Sequence, residues 1–289
     1  MEVITGKKAG FCFGVEKAMD IVEKQISDND GSYDVYTCGP LIHNAEVIKN
    51  LKAGGVRVIE NDEDIDSMET GDRSKKVVIR SHGVAKAVID KLNDKGFEVI
   101  DATCPFVKRI HNTVMQESRK GNGVIIVGDP NHPEVRGIMG WCECEPIVIE
   151  STEDIDRINL KEGTKYCVVA QTTFNHNKFK DIVEKLQNLR YDVTVVDTIC
   201  NATYERQCES REIAKKVDTM IVIGDTHSSN SKKLYEICKD ECEDTHFIQT
   251  LDDLNLENTN SVRLVGITAG ASTPNYIIEE VQKHVRIDF

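Results

Sequence analysis

Short runs of β-branched and aliphatic residues alternate with amphipathic stretches from one end of this 289-residue chain to the other. Apolar runs of four or five residues bounded by turn residues predict buried strands, and apolar positions recurring every three or four residues predict helices. In the first third this gives a helix over 15–26, a strand near 34–37, a helix over 44–51 and strands at 56–59 and 77–80. A helix over 85–95 and a strand at 97–100 complete that third. The second third repeats the order, with a helix after Pro105, strands at 124–127, 147–149, 167–170 and 193–196, and a helix at 178–189. The last has a helix at 202–216, strands at 220–223 and 262–267 and a helix at 275–284, and no strand follows. Alternation of this kind specifies an α/β fold with parallel-type sheets.

The thirds also share a chemical pattern. Cys12, Cys104 and Cys200 stand at near-equal intervals, and each is followed by a glycine with a polar residue four positions on: Gly39 and His43, Gly128 and His132, Gly224 and Ser228. Further on, each third offers small polar residues again, at Ser81-His82, Thr172-Thr173 and Ser272-Thr273. Internal repetition of this kind predicts three pseudo-threefold-related small domains, over 14–103, 104–199 and 200–289. A strand leads into Cys104 and another into Cys200. Residues 2–4 stand in the same relation to Cys12, so the N-terminal strand within 1–13 is expected to complete the third sheet. The stretch 61–72 reads as an acidic surface loop.

Bulk properties narrow the function. A net charge of −13 without a sustained Lys/Arg cluster argues against nucleic-acid binding through a basic face. No apolar run approaches the ~20 residues that span a bilayer. The first residues, Met-Glu-Val-Ile, are too few and too acidic for a signal peptide, so the cytoplasm is the expected compartment. Ten cysteines in a reducing compartment point to buried thiols, zinc or an iron–sulfur cluster rather than disulfides.

In open α/β sheets, ligands gather at the carboxyl ends of strands, where helix N-termini favour thiolates and anions. The repeated positions all fall there. Three equivalent thiols with no fourth imply an incompletely ligated metal centre, and a four-iron cluster held by three cysteines leaves one iron open. Cys142 and Cys144 form the rival pair, at a spacing that suits zinc poorly. His43-Asn44, His82, His132, Thr172-Thr173, Ser228-Ser229-Asn230 and Ser272 offer neutral donors for a diphosphate, though Ser228 and Asn230 also suit a helix cap. Glu134 is the acid within these motifs, and a carboxylate beside an anion is costly unless it carries a proton.

Gly10-Phe-Cys-Phe-Gly-Val15, His43-Asn44, Ser81-His-Gly83, Ala102-Thr-Cys-Pro105, His132-Pro-Glu134, Gln171-Thr-Thr173, Ser228-Ser-Asn-Ser231 and Ala269-Gly-Ala-Ser-Thr-Pro274 resemble the motifs of the 4-hydroxy-3-methylbut-2-enyl diphosphate reductases. These are the last enzymes of the methylerythritol phosphate route to isoprenoids. The resemblance spans the chain and implies a trefoil of three α/β domains around a central [4Fe–4S] cluster with three cysteine ligands and one open iron. Carried over, it gives Cys12, Cys104 and Cys200 as cluster ligands. It gives His43, His82, His132, Ser228, Ser229, Asn230 and Ser272 as diphosphate ligands, and Glu134 with Thr172 and Thr173 as the proton-handling group. It further implies a two-electron reductive dehydroxylation to isopentenyl and dimethylallyl diphosphates, fed by ferredoxin or flavodoxin. The chain departs from the family at Asp225-Thr-His227, where a lysine-asparagine pair is more usual. A [4Fe–4S]-dependent hydro-lyase acting on another phosphorylated alcohol is the alternative reading, and a non-enzymatic redox sensor a third.

Overall fold

The computed structural model describes residues 2–70, 74–256 and 262–288. Two compact units partition them: Met1–Glu16, His43–Lys49 and Cys200–Phe289 in one, and Lys17–Ile42 with Asn50–Ile199 in the other.

The first unit holds a parallel sheet of four strands: β1 (Glu2–Thr5), β10 (Thr219–Ile223), β11 (Thr245–Ile248) and β12 (Leu264–Ala269), in the order β1-β12-β10-β11. β1 runs beside β12 in the register Glu2–Leu264 to Thr5–Ile267. The second unit holds two more such sheets. One takes β2 (Asp34–Cys38), β3 (Arg57–Ile59), β4 (Lys75–Ile79) and β5 (Glu98–Asp101) in the order β3-β2-β4-β5. The other takes β6 (Gly123–Val127), β7 (Ile147–Ile149), β8 (Tyr166–Ala170) and β9 (Val193–Val195) in the order β7-β6-β8-β9. The three orders superpose, with β1 in the edge position that β5 and β9 occupy. The α/β class with parallel sheets is thus the one the hydrophobic pattern predicts.

Each sheet is buried on both faces, as helix-covered parallel sheets are. Alternate residues serve opposite cores: Ile125, Val127, Val168 and Ala170 face one way, and Val124, Ile126, Cys167 and Val169 the other. β10 and β12 divide likewise, with Ile221, Ile223, Val265 and Ile267 in one core and Met220 and Val222 in its opposite. Each such Val or Ile contributes roughly 1.5–3 kcal/mol by leaving water.

One expectation is corrected. The acidic stretch 61–72 is not all loop, because α3 (Asp62–Ser67) forms within it; residues 71 and 72 lie outside the described residues. Asn61 Oδ1 accepts from the Asp64 N–H at 3.0 Å and Asp64 Oδ2 accepts from the Asn61 N–H at 3.2 Å, a capping box that nucleates the turn. Buried Ile65 anchors it. β11 also lies outside the predicted strands. No helix among the described residues is long and apolar enough to cross a membrane.

Candidate active site

In the first unit, Cys12 immediately precedes helix α1 (Phe13–Ser27), and its carbonyl accepts from the N–H groups of Val15 and Glu16 at 3.0 and 2.9 Å. Its own N–H donates to Ala271 O at 3.3 Å, tying it to the loop that carries Ser272. Cys200 is the N-cap of helix α9 (Asn201–Ala214). Both thiols are half-buried.

Arg206, buried on α9, donates to Ala269 O at 2.7 Å and to Gly10 O at 2.8 Å. Burial pushes its pKa down to about 10, while the sulfurs of Cys12 and Cys200, with Glu209, favour the charge. It remains a cation near neutrality, held by the carbonyls of Gly10, two residues before Cys12, and of Ala269 at the end of β12. The sequence reading missed it because α9 buries a polar face, including Thr203, Arg206, Gln207 and Ser210, that carries no apolar period.

Around these thiols the loops are laced together. Asn44 caps helix α2 (Ala45–Ala53), its Oδ1 accepting from Val47 N–H at 3.0 Å. Ser272 Oγ donates to His43 O at 2.8 Å. Asp225, where the resemblance departs, accepts from Ala45 N–H at 2.9 Å and from His227 N–H at 2.7 Å. Its carboxylate is engaged by two backbone amides, that of Ala45 at the start of α2 and that of His227, which offsets its charge.

Ser228 is the N-cap of helix α10 (Ser229–Glu241): its Oγ accepts from Ser231 N–H at 3.3 Å and Ser231 Oγ at 3.0 Å. Ser229 Oγ accepts from Lys233 Nζ at 3.3 Å. Asn230 is buried, and its Nδ2 finds no hydrogen-bond partner among the described residues. An orphaned buried amide costs about 1–3 kcal/mol, which fits a donor kept for an anion.

In the second unit, Cys104 is the half-buried N-cap of helix α5 (Pro105–Arg119), and its N–H donates to Ser81 O at 2.9 Å, next to His82. His132 is the N-cap of helix α6 (Pro133–Met139); its Nδ1 accepts from Glu134 N–H at 3.1 Å. That bond assigns the proton of a neutral His132 to Nε2, a donor suited to a phosphate oxygen. The His82 and His132 rings meet edge to face, 5.6 Å apart at 75°.

Glu134 is 1% exposed. Thr172 binds it twice, N–H to Oε1 at 2.6 Å and hydroxyl to Oε2 at 2.7 Å. Thr173 faces differently, its Oγ1 accepting from Gln171 Nε2 at 3.0 Å.

A brace behind this site also escaped the sequence reading. Gly83 has φ +71, and a Cβ there would meet His111 Cε1 at 2.6 Å and Thr103 Cγ2 at 3.1 Å. His111 stacks on Trp141 at 5.0 Å, whose Nε1 donates to Val84 O at 2.9 Å. The pair grips the backbone just beyond His82. Desolvation lowers the His111 pKa to about 4, so it is neutral. A histidine on the stripe Val107, Ile110, His111, Val114 was the available signal.

Cys142 and Cys144 have another role. Their thiols donate to Ile138 O at 3.6 Å and Asn122 O at 3.8 Å and pack on the β6–β8 core. Burial pushes Cys142 up to about 12, the mark of a neutral thiol. Cys12 and Cys200 belong to one unit and Cys104 to the other, and within neither unit do the described residues gather three His, Cys, Asp or Glu groups as metal ligands.

The family model described as LytB protein matches residues 3–286. The chain belongs to the LytB protein family. Curated LytB relatives named 4-hydroxy-3-methylbut-2-enyl diphosphate reductase include that of Thermoanaerobacter sp. (strain X514), 46% identical over 99% of this chain and 97% of the relative. That of Clostridioides difficile (strain 630) is 42% identical over 97% and 98%. A solved structure titled as (E)-4-hydroxy-3-methyl-but-2-enyl diphosphate reductase, the terminal enzyme of the non-mevalonate pathway, is 40% identical with a TM-score of 0.70 and covers 99% of both chains. A solved structure titled as the E-1-hydroxy-2-methyl-but-2-enyl-4-diphosphate reductase from Plasmodium falciparum is 28% identical with a TM-score of 0.89, over 99% of this chain and 87% of that one.

Proposed function

We propose that this chain reduces 4-hydroxy-3-methylbut-2-enyl diphosphate, the compound for which its LytB relatives are named, to isopentenyl diphosphate and dimethylallyl diphosphate. The observation that carries the reading is buried Glu134, held from both oxygens by Thr172 and placed two residues beyond the anion-donor His132. A carboxyl group so fixed suits proton delivery to a leaving oxygen better than anion binding.

LytB proteins are iron–sulfur enzymes, and Cys12, Cys104 and Cys200 would hold one [4Fe–4S] cluster here, with one iron lacking a protein ligand. The donor set fits: each is a half-buried thiol at the start of a long helix. When bound, such a cluster supplies single electrons and a Lewis-acidic iron. The chain's own groups do the rest. His43, His82, His132, Ser228, Ser229, Asn230 and Ser272 bind the diphosphate oxygens, His132 through its Nε2–H. Thr172 holds the Glu134 carboxyl toward the substrate hydroxyl, and Thr173 orients through Gln171.

In the balanced reaction, the allylic C–O bond breaks and two electrons enter from an external donor of the ferredoxin or flavodoxin class, in the cytoplasm. One proton, from Glu134, leaves with the oxygen as water. The second goes to either end of the allylic fragment, which accounts for two products.

Anaerobic reconstitution and turnover with a reduced viologen dye test this. Two one-electron-reduced dye molecules should be oxidised per diphosphate product formed. A hydro-lyase would release water from a phosphorylated alcohol with the dye unspent, and that outcome would replace the reading.

A further inference from the structure

A cavity of about 530 Å³ opens in the second unit at the carboxyl ends of β2, β3 and β4. The sheet order β3-β2-β4-β5 places β3 on one side of β2 and β4 on the other, so this is the topological switch point where open α/β sheets bind ligands. Cys38 ends β2 and Gly39 follows it here, Arg80 follows β4, and Arg136 reaches in from α6. None of the site residues described above lines it.

Two guanidiniums line one side of the cavity and two carboxylates, Glu60 and Glu63, the other. Arg80 is half-buried, and among the described residues its side chain donates from Nε to Gly83 O at 3.1 Å. The Arg136 guanidinium donates to Asn131 Oδ1 at 3.4 Å and to no other group among the described residues. Among the described residues neither arginine pairs with a carboxylate. Desolvation lowers the Arg80 pKa, Cys38 opposes the shift, and the like charge of Arg136 adds to it. Two guanidiniums within mutual influence, one half-buried and one at the surface, favour an anion placed between them. Gly39, with φ +73, has no Cβ because one would overlap the Arg80 guanidinium.

The remaining polar lining differs. Glu60, Asn61 and Glu63 stand at the end of β3 and the start of α3, and Glu60 faces Lys52 at 3.9 Å. They offer acceptors where the arginines offer donors. A bare phosphate would satisfy the arginines and leave these groups unused.

We infer that Arg80 and Arg136 form a second anion site, separate from the diphosphate cradle, for a small phosphorylated polyol. Its phosphate lies on the two guanidiniums and its hydroxyls donate to Glu60, Asn61 and Glu63. The volume suits a pentose phosphate or a nucleotide. Because Arg80 also holds Gly83 O, such a ligand bears on the backbone beside His82 and acts as an effector of that loop.

Calorimetric titration of the anaerobic holoenzyme with ribose 5-phosphate tests the site. Saturable binding should survive in Ser228→Ala/Asn230→Ala, which removes donors of the cradle. It should weaken at least about tenfold in Arg136→Gln, the loss of a charged donor to phosphate. Arg136 is exposed and bonded only to Asn131, so the fold should tolerate this change, and a thermal melt verifies it. Undiminished affinity in a folded Arg136→Gln protein, loss of binding in the Ser228/Asn230 variant, or no saturable binding to wild type in the millimolar range would each overturn the inference. The cradle and the reductase activity stand or fall separately, through turnover.

Discussion

Thr172 embraces Glu134 through both its backbone N–H and its hydroxyl, at 2.6 and 2.7 Å, in a site where the carboxyl group is 1% exposed. Two donors, one on each oxygen, fix the plane of the carboxyl group and leave little rotational freedom to lose during proton transfer. Thr172→Val removes the hydroxyl and keeps the shape and the backbone N–H. A hydrogen bond to a charged group contributes about 1.5–3 kcal/mol, so kcat should fall roughly ten- to a hundred-fold, with Thr172→Ser restoring much of it. Equal turnover in the Val and Ser variants would show that the hydroxyl has no part in the step.

Cysteine replacements should divide into two groups. Cys12→Ser, Cys104→Ser and Cys200→Ser should each lose iron and activity after anaerobic reconstitution, since a hydroxyl is a poor ligand for an iron–sulfur cluster. Cys142→Ser and Cys144→Ser should keep the cluster, because those thiols lie against the β6–β8 core. Iron analysis of the five proteins is the check, and iron lost from Cys142→Ser but kept in Cys104→Ser would reverse the assignment.

Ser228 and Asn230 should separate stability from binding. Ser228→Ala removes the α10 cap and should cost about 0.5–2 kcal/mol of stability. Asn230→Ala removes an amide nitrogen with no partner among the described residues, so its melting temperature should not fall. Its affinity for inorganic diphosphate should drop about ten-fold or more. A destabilised Asn230→Ala protein with unchanged affinity would make this residue structural.

His111 gives the protein an acid-sensitive brace. Its folded pKa of about 4 lies below the ordinary 6.5, so between those values the unfolded chain binds the extra proton. Stability is therefore complete above that window and is lost as pH falls through it, by on the order of 3 kcal/mol. His111→Phe keeps a ring against Trp141 without the titration. Denaturant midpoints of the two proteins should diverge in slope between pH 6.5 and about 4, and parallel curves would remove His111 from the acid response.

The sheets were legible because both patterns that announce them are local. β6 and β8 are continuous apolar runs between turns, and the helices after Cys12 and Cys104 repeat every three to four residues. The repeated cysteines and histidines could be picked out because each follows a strand and precedes a helix. What stayed hidden depends on tertiary context. β11 is a four-residue edge strand with His246 and Phe247 only partly buried, so its period is faint. α3 has one buried apolar residue, and only Asn61 and Asp64 mark its start. The partner of Glu134 lies 38 residues away, and no local spacing could say whether Thr172 or Thr173 turns toward it.

The most direct test of the account is turnover of Glu134→Gln, fully reconstituted and supplied with saturating reductant. Glutamine keeps the shape and hydrogen-bonding capacity of the side chain but cannot deliver a proton. The variant should assemble its cluster and bind substrate while its rate falls by at least about two orders of magnitude, the usual cost of losing a general acid. Near-normal turnover would remove Glu134 from the proton path and contradict the mechanism at its centre.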